Sequence, residues 1–163
     1  MVTTLRRTKE KGQRTPRSMD VYQGKGGVEG AAQCQCGALF RNKRWYSEEG
    51  GVTTPGGHGL VCPACRRIAD RNPAGIVSLR GSYLADHEAE IENLVRNTAE
   101  AAGMKHPLGR VMEISREKDG VTITTTDIKL AQKIGREVYK AHGGELHFRW
   151  TDDEDLVRVT WSR

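Results

Sequence analysis

Four cysteines in two pairs are the residues of this chain best suited to do chemistry. Cys34 and Cys36 lie in QCQCGALFRNKRWYS (33–47), and Cys62 and Cys65 lie in VCPACRRI (61–68); the chain has no others. Two cysteine pairs about 25 residues apart match the layout of a zinc ribbon, in which two hairpin turns present four thiolates to one tetrahedral ion. The spacing predicts a Zn²⁺ site made by Cys34, Cys36, Cys62 and Cys65. Metal binding supplies on the order of 10 kcal/mol of folding free energy to such a piece, and residues 31–73 hold too few aliphatic side chains to fold on burial alone.

The two turns are not alike. Cys62-Pro63-Ala64-Cys65 has the C-x-x-C spacing that lets backbone N–H groups fold back onto sulfur. Cys34-Gln35-Cys36 is one residue shorter, so Cys34 has to reach the ion from an unusual position, and His58 is a reserve ligand four residues before Cys62. The competing chemistry is redox. A reactive CPxC dithiol needs a thiol with a low pKa at a helix N-terminus, in a βαβ setting that EEGGVTTPGGHG (48–59) does not supply. No histidine has a carboxylate or nucleophile partner at a readable spacing, and no paired acids stand out. The reading is a protein that is not an enzyme and takes no small-molecule substrate.

Each cysteine pair is followed by cations. Four thiolates and one Zn²⁺ leave a formal charge of −2, which a neighbour such as Arg66 would offset. The surplus is larger than that. Residues 1–19 carry Arg6, Arg7, Lys9, Lys11, Arg14 and Arg17 against one acid. Residues 31–73 carry Arg41, Lys43, Arg44, Arg66, Arg67 and Arg71 against three, whereas residues 74–163 carry thirteen cations against fifteen acids. The net charge of +5 therefore belongs to the first half, which points to an anionic partner, most often nucleic acid. The candidate RNA contacts are the six tail cations with Lys43, Arg44, Arg67 and Arg71. Trp45 either stacks on a base or fills the module's small core.

The elements that position these residues follow from pattern. Residues 1–30 are a basic tail with few large apolar side chains, predicted to be disordered. Residues 31–73 are the ribbon, with ALFRNKRWY (38–46) as a short strand and LVCPAC (60–65) as a strand running into a tight turn. Residues 74–163 read as β-α-β-β-α-β-β. GIVSLRG (75–81) is a strand. DHEAEIENLVRNTAEAAG (86–103) is a helix with Ile91, Leu94, Val95, Thr98 and Ala102 on one stripe. RVMEISR (110–116) and GVTITTT (120–126) form a hairpin across EKDG. DIKLAQKIGREVYKAHGG (127–144) is a second helix, capped by Thr126 or Asp127 and striped by Ala131, Ile134, Val138 and Ala141. ELHFRW (145–150) and LVRVTW (156–161) alternate strictly and are joined by TDDED (151–155). The predicted fold class is α+β: a zinc ribbon followed by a two-layer sandwich related to the ferredoxin-like plan, with Phe148, Trp150, Val159 and Trp161 under the helices.

ITTTDIKLAQKIGREVYKAHGGELHFRWTDDEDLVRVTW (123–161) resembles the segment after the zinc-binding region of the large-ribosomal-subunit export adaptor family, the nonsense-mediated-decay three proteins. The layout is similar to the small bacterial relatives of that family: a D-x-Y element (Asp20, Val21, Tyr22), a CGA turn followed by Arg44-Trp45 (Cys36, Gly37, Ala38), and a CPxC turn (Cys62, Pro63, Cys65). The resemblance covers most of residues 20–163. The chain lacks the adaptor's further cysteine pairs and extra β-domains, and Gln33 stands where the first turn's cysteine is expected, so an export role does not carry over. The resemblance implies docking on large-subunit ribosomal RNA, near the face where tRNA and the small subunit bind. It implies a part in ribosome dormancy, assembly or quality control. The alternative is a zinc-ribbon adaptor for a protein, or a DNA-associated regulator. The chain has no apolar run long enough to span a bilayer and no secretory signal, so the expected place is the cytoplasm, as a monomer.

Overall fold

The computed structural model describes Tyr22 and residues 32–42, 44–47, 60–151 and 156–163. Three short strands open it: β1 (Ala32–Gln33), β2 (Leu39–Arg41) and β3 (Arg44–Tyr46), all antiparallel in one small sheet. Helix α1 (Pro63–Asp70) follows. Then come β4 (Gly75–Arg80), α2 (Ser82–Lys105), β5 (Val111–Glu117), β6 (Gly120–Thr125), α3 (Ile128–His142), β7 (Glu145–Thr151) and β8 (Leu156–Ser162). The chain is α+β, with a cysteine cluster in its first part.

Period-two alternation sets the faces of the large sheet. Val77 and Leu79 of β4, Val121 and Ile123 of β6, and Val157, Val159 and Trp161 of β8 point to one side and are buried there. Ile91 and Val95 of α2 and Leu130, Ile134 and Val138 of α3 close over them. Phe148 and Trp150 lie on the same side, half-buried at the margin of this core. His147, Arg149, Arg158 and Thr160 point away into solvent. Asp127 is the cap of α3, its carboxylate accepting from the Leu130 N–H at 3.2 Å.

The sheet order is β5-β6-β4-β8-β7. It departs from the ferredoxin-like plan at one edge. There the strand that returns from the second helix would pair antiparallel with the first strand. Here β8 takes that place, parallel to β4, and β7 is displaced outward to pair with β8 alone. The local sequence pattern of β7 and β8 is equally compatible with either order.

Helix α3 approaches the sheet closely because two glycines allow it. A Cβ at Gly75 would stand 2.4 Å from the Ala131 Cβ, and one at Gly135 would stand 2.4 Å from Val159 Cγ1. Helix propensity alone makes Gly135→Ala stabilising by about 1 kcal/mol. Overpacking against a β-branched core residue outweighs that, and the expected result is a loss of about 1–3 kcal/mol. Thermal melting of the variant separates the two effects by sign.

Four sequence expectations change. CPAC does not end a strand at a tight turn: residues 63–70 are helix α1, because Cys62 caps it, its sulfur accepting from the Cys65 N–H at 3.4 Å, and Pro63 presets the first turn. The first part is therefore a strand sheet plus a helix, not a pair of hairpins. Residues 38–46 hold two strands rather than one, with Asn42 at the positive φ that reverses the chain. Helix α2 begins at Ser82 and runs through Gly103 to Lys105, with a kink at His87; Leu84 is buried and extends the apolar stripe backward. Within the segment read as a disordered tail, Tyr22 is buried, its hydroxyl donating to Asp70 Oδ2 at 2.8 Å and accepting from Asn72 Nδ2 at 3.1 Å. The rest of the tail lies outside the described residues.

Candidate metal centre

The first sheet and the first helix bring the two cysteine pairs together. In the turn between β1 and β2, Cys34 N–H donates to Ala38 O at 2.8 Å and Gly37 N–H donates to Cys34 O at 2.9 Å, with Gly37 at φ 95°. The loop places Cys36 at its exposed tip and Cys34 buried at its base. Cys62 and Cys65 come from the first turn of α1. Cys34 Sγ lies 3.7 Å from Cys65 Sγ, Cys36 Sγ lies 3.7 Å from Cys62 Sγ, and all four sulfurs fall within 4.8 Å of one another.

These distances fit one ion. A tetrahedron with metal–sulfur bonds of about 2.3 Å has sulfur–sulfur edges of about 3.8 Å. The Cys34–Cys65 and Cys36–Cys62 edges match that, so the four cysteines can hold a metal ion with little movement. The short Cys34-Gln35-Cys36 turn is no obstacle: the sulfur of Cys34 also accepts the Cys62 N–H at 3.2 Å, which ties the loop to the helix cap. His58 lies outside the described residues.

Sequence reasoning missed a fifth participant. Arg110, between α2 and β5, donates from its guanidinium to Cys36 Sγ at 2.8 Å and to Cys65 Sγ at 3.5 Å, while its Nε holds Pro107 O at 3.1 Å. It lies 74 residues from Cys36 and 45 from Cys65 in sequence. No spacing rule links them, and Arg110 reads locally as the start of a strand. Burial alone would raise the Cys36 thiol, but the Ala38 N–H and the Arg110 guanidinium outweigh it and hold Cys36 at about 6. Burial pushes Cys62 up to about 12 and also raises Cys65. Desolvation works against the charge of Arg110, yet its hydrogen bonds to Cys36 and Cys65 raise it above its ordinary value. The positive charge balances part of the excess negative charge of four thiolates around a divalent ion.

The signs of these shifts set the pH response of the metal-free form. A Cys36 thiol depressed from 9.0 to about 6 gives stability that is complete above about pH 9 and lost as pH falls through about 6. A Cys62 thiol raised from 9.0 to about 12 gives stability that is complete below about pH 9 and lost as pH rises toward about 12. Metal binding must remove the protons of Cys62 and Cys65, so affinity rises with pH. Arg110→Met should weaken metal affinity about 10–100-fold and move the alkylation midpoint of Cys36 in the stripped protein upward. Chelator competition and mass-spectrometric mapping of thiol labelling against pH measure the two effects.

The depressed thiol of the cluster is exposed Cys36 and not the helix-capping Cys62. Cys62 sits at the helix N-terminus, fully buried and with its thiol raised.

The predicted RNA-contacting residues separate into groups. Arg44 and Arg71 are exposed on the module, as are Arg41 and Arg66. Arg67 is turned inward: it is buried, donates to Asn72 O at 3.2 Å, and its guanidinium lies 4.4 Å from the centre of the Tyr22 ring. Trp45 is half-buried against the cysteine cluster and 5.1 Å from the Phe40 ring, so it serves the module's core. Arg6, Arg7, Lys9, Lys11, Arg14, Arg17 and Lys43 lie outside the described residues.

The cysteine module rests on the second part of the chain. Leu108 packs against the cysteine cluster. Ser47 Oγ donates to the carbonyl oxygens of Gly103 and Met104 at 3.1 and 3.0 Å. Among the described residues no helix is long and apolar enough to cross a membrane. Comparison with protein-family models, with curated proteins and with solved structures finds no match.

Proposed function

We propose that the four cysteines hold one Zn²⁺, and that the module it organises is an RNA-binding factor, without enzymatic activity, that docks on the large ribosomal subunit. The observation that carries this reading is the placing of Arg41, Arg44, Arg66 and Arg71 as exposed cations around a cysteine cluster of four-thiolate geometry. Four thiolates are a soft, tetrahedral set that favours Zn²⁺ over magnesium or calcium. A metal-stiffened knob with cations on its rim is suited to seat against phosphate oxygens, which fix position rather than read sequence. The ribosomal destination, at the tRNA and intersubunit face, and a role in dormancy, assembly or quality control rest on the motifs shared with the export-adaptor family.

A second reading has one observation in its favour. Val61 and Ile68, close to the cysteines, are exposed at 38% and 41%, which suits a protein partner. Sucrose-gradient profiles of growing and starved cells separate the two. Co-sedimentation with the large subunit that is lost at high salt supports the RNA reading. Sedimentation away from ribosomal subunits under both conditions, or an association indifferent to salt, contradicts it.

A further inference from the structure

We propose that the outer face of α3 is a second phosphate-contacting surface, a track for the RNA backbone that continues from the cysteine module. The proposal rests on the RNA-binding reading above and extends it to the half of the chain whose net charge is slightly acidic.

Lys129, Lys133, Arg136 and Lys140 fall at i, i+4, i+7 and i+11 of α3, and all four are exposed. At 100° per residue they occupy a strip about 60° wide, directly opposite buried Ile134 and Val138. With a rise of 1.5 Å per residue the strip is about 16 Å long. Four of the thirteen cations of residues 74–163 lie on it.

Solvation alone does not account for this arrangement. A helix face selected only for solubility and stability places opposite charges at i and i+4, because like charges there repel. Helix α2 has one like-charged i, i+4 pair, Glu88 and Glu92, and offsets it with cations. Its Glu88 and Glu92 hold Arg116 at 2.8 and 2.9 Å, Arg96 reaches Glu92 at 4.0 Å, and His87 faces Glu90 at 3.2 Å. On α3 the i, i+4 pairs Lys129–Lys133 and Arg136–Lys140 are both like-charged. None of the four makes a salt bridge among the described residues, although Glu137 lies on the same helix. Lys129 also stands in the first turn, where the helix dipole disfavours a cation, beside the capping carboxylate of Asp127. The two like-charged pairs disfavour the helix slightly, Lys140 in the last turn suits its dipole, and the row as a whole suits external anions.

Its position joins it to the metal centre. The strip starts beside Thr126 and Asp127, and Thr126 is bonded through backbone and side chain to Leu108 and Arg110, both of which touch the cysteine cluster. A chain of phosphates seated on the module therefore has a run of cations leading away along α3. The other candidate occupant is the acidic α2 face of a second copy, with Asp86 and Glu90 exposed on it. The match of an unbroken cation row to a repeating phosphate favours RNA.

The test uses the full chain with its metal, purified large ribosomal subunits, and an RNA duplex of generic sequence as probe. Lys129, Lys133 and Lys140 are changed together to Glu. Arg136 is kept, because its guanidinium lies 5.4 Å from the Phe148 ring. A second variant carries Gln at the same three positions. A control carries the same charge change at Lys118, Arg149 and Arg158. The expected result is a fall of about two to three in the slope of log affinity against log salt for both strip variants, with the control close to wild type. Wild-type slope in the strip variants, with binding still weakened by reversing Arg44, Arg66 and Arg71, overturns this inference and leaves the RNA reading standing. No binding of either probe by wild type overturns both. Loss of a dimer in sedimentation, with RNA affinity unchanged, assigns the strip to self-association and overturns it.

Discussion

Cys62→Ser should abolish stoichiometric metal binding and unfold the module of residues 32–47 and 60–70, while residues 75–162 keep their cooperative fold. Cys62 is fully inaccessible, caps α1 through its sulfur, and stands 3.7 Å from Cys36 Sγ. A serine there is a poor soft ligand and leaves a gap in a four-atom set. The module has little else: its cluster comprises Cys34, Ala38, Cys62 and Ala64, with Trp45, Cys65 and Leu108 beside it. Losing a metal removes on the order of 10 kcal/mol from a piece that cannot replace it by burial. The larger sheet has its own core, centred on Trp161, Leu79, Ile91, Ile123 and Ile134, none of which touches the cysteines. Hydrogen exchange on the variant gives the answer segment by segment. Protection should vanish in α1 and the first sheet and persist in α3, β4 and β8. Loss throughout would show that Leu108, Ser47 and Arg110 weld the two parts into one unit. Protection retained in the module would show that metal does not hold it.

The second large effect concerns the cationic tail. Deleting residues 1–19 removes Arg6, Arg7, Lys9, Lys11, Arg14 and Arg17 together with one acid. Each phosphate contact contributes about 0.7–0.9 to the salt dependence of log affinity. The truncated chain should therefore show a slope lower by several units and lose stable association with large subunits at physiological salt. Reversing Arg44, Arg66 and Arg71 should act differently, shifting where the protein sits as well as how tightly. If the truncated chain binds as tightly as the full one at the same salt, the tail serves solubility and the module or α3 carries the affinity. Any gain of affinity on truncation would contradict a contact role for the tail outright.

Much of the larger domain was legible in the sequence because its elements are one-sided. Val157, Val159 and Trp161 alternate with Arg158 and Thr160, and the structure divides them between core and solvent on that basis. The order of strands was not legible, since pairing of β8 with β4 depends on distant partners and not on local period. The four cysteines were legible as a group, because metal-ligand chemistry shows in their type and pairing alone. Their setting was not. Helix α1 has eight residues and two buried ones, Ala64 and Arg67, too weak an apolar stripe to announce a helix. Arg67 looked like a phosphate contact by residue type and proves to be packed on Tyr22. Arg110 was invisible because its role comes from the chain folding back across 74 residues to Cys36. The cation row of α3 was present in the letters, and the acidic balance of residues 74–163 masked it.

All of this depends on one ion joining four sulfurs. The most direct measurement is the metal content of the purified full chain, set against the number of thiols that react before and after chelation. The expected result is about one equivalent of zinc per chain, with four thiols protected until a strong chelator removes it and all four reactive afterward. Less than about half an equivalent, with thiol reactivity indifferent to chelator, would contradict a four-thiolate metal centre.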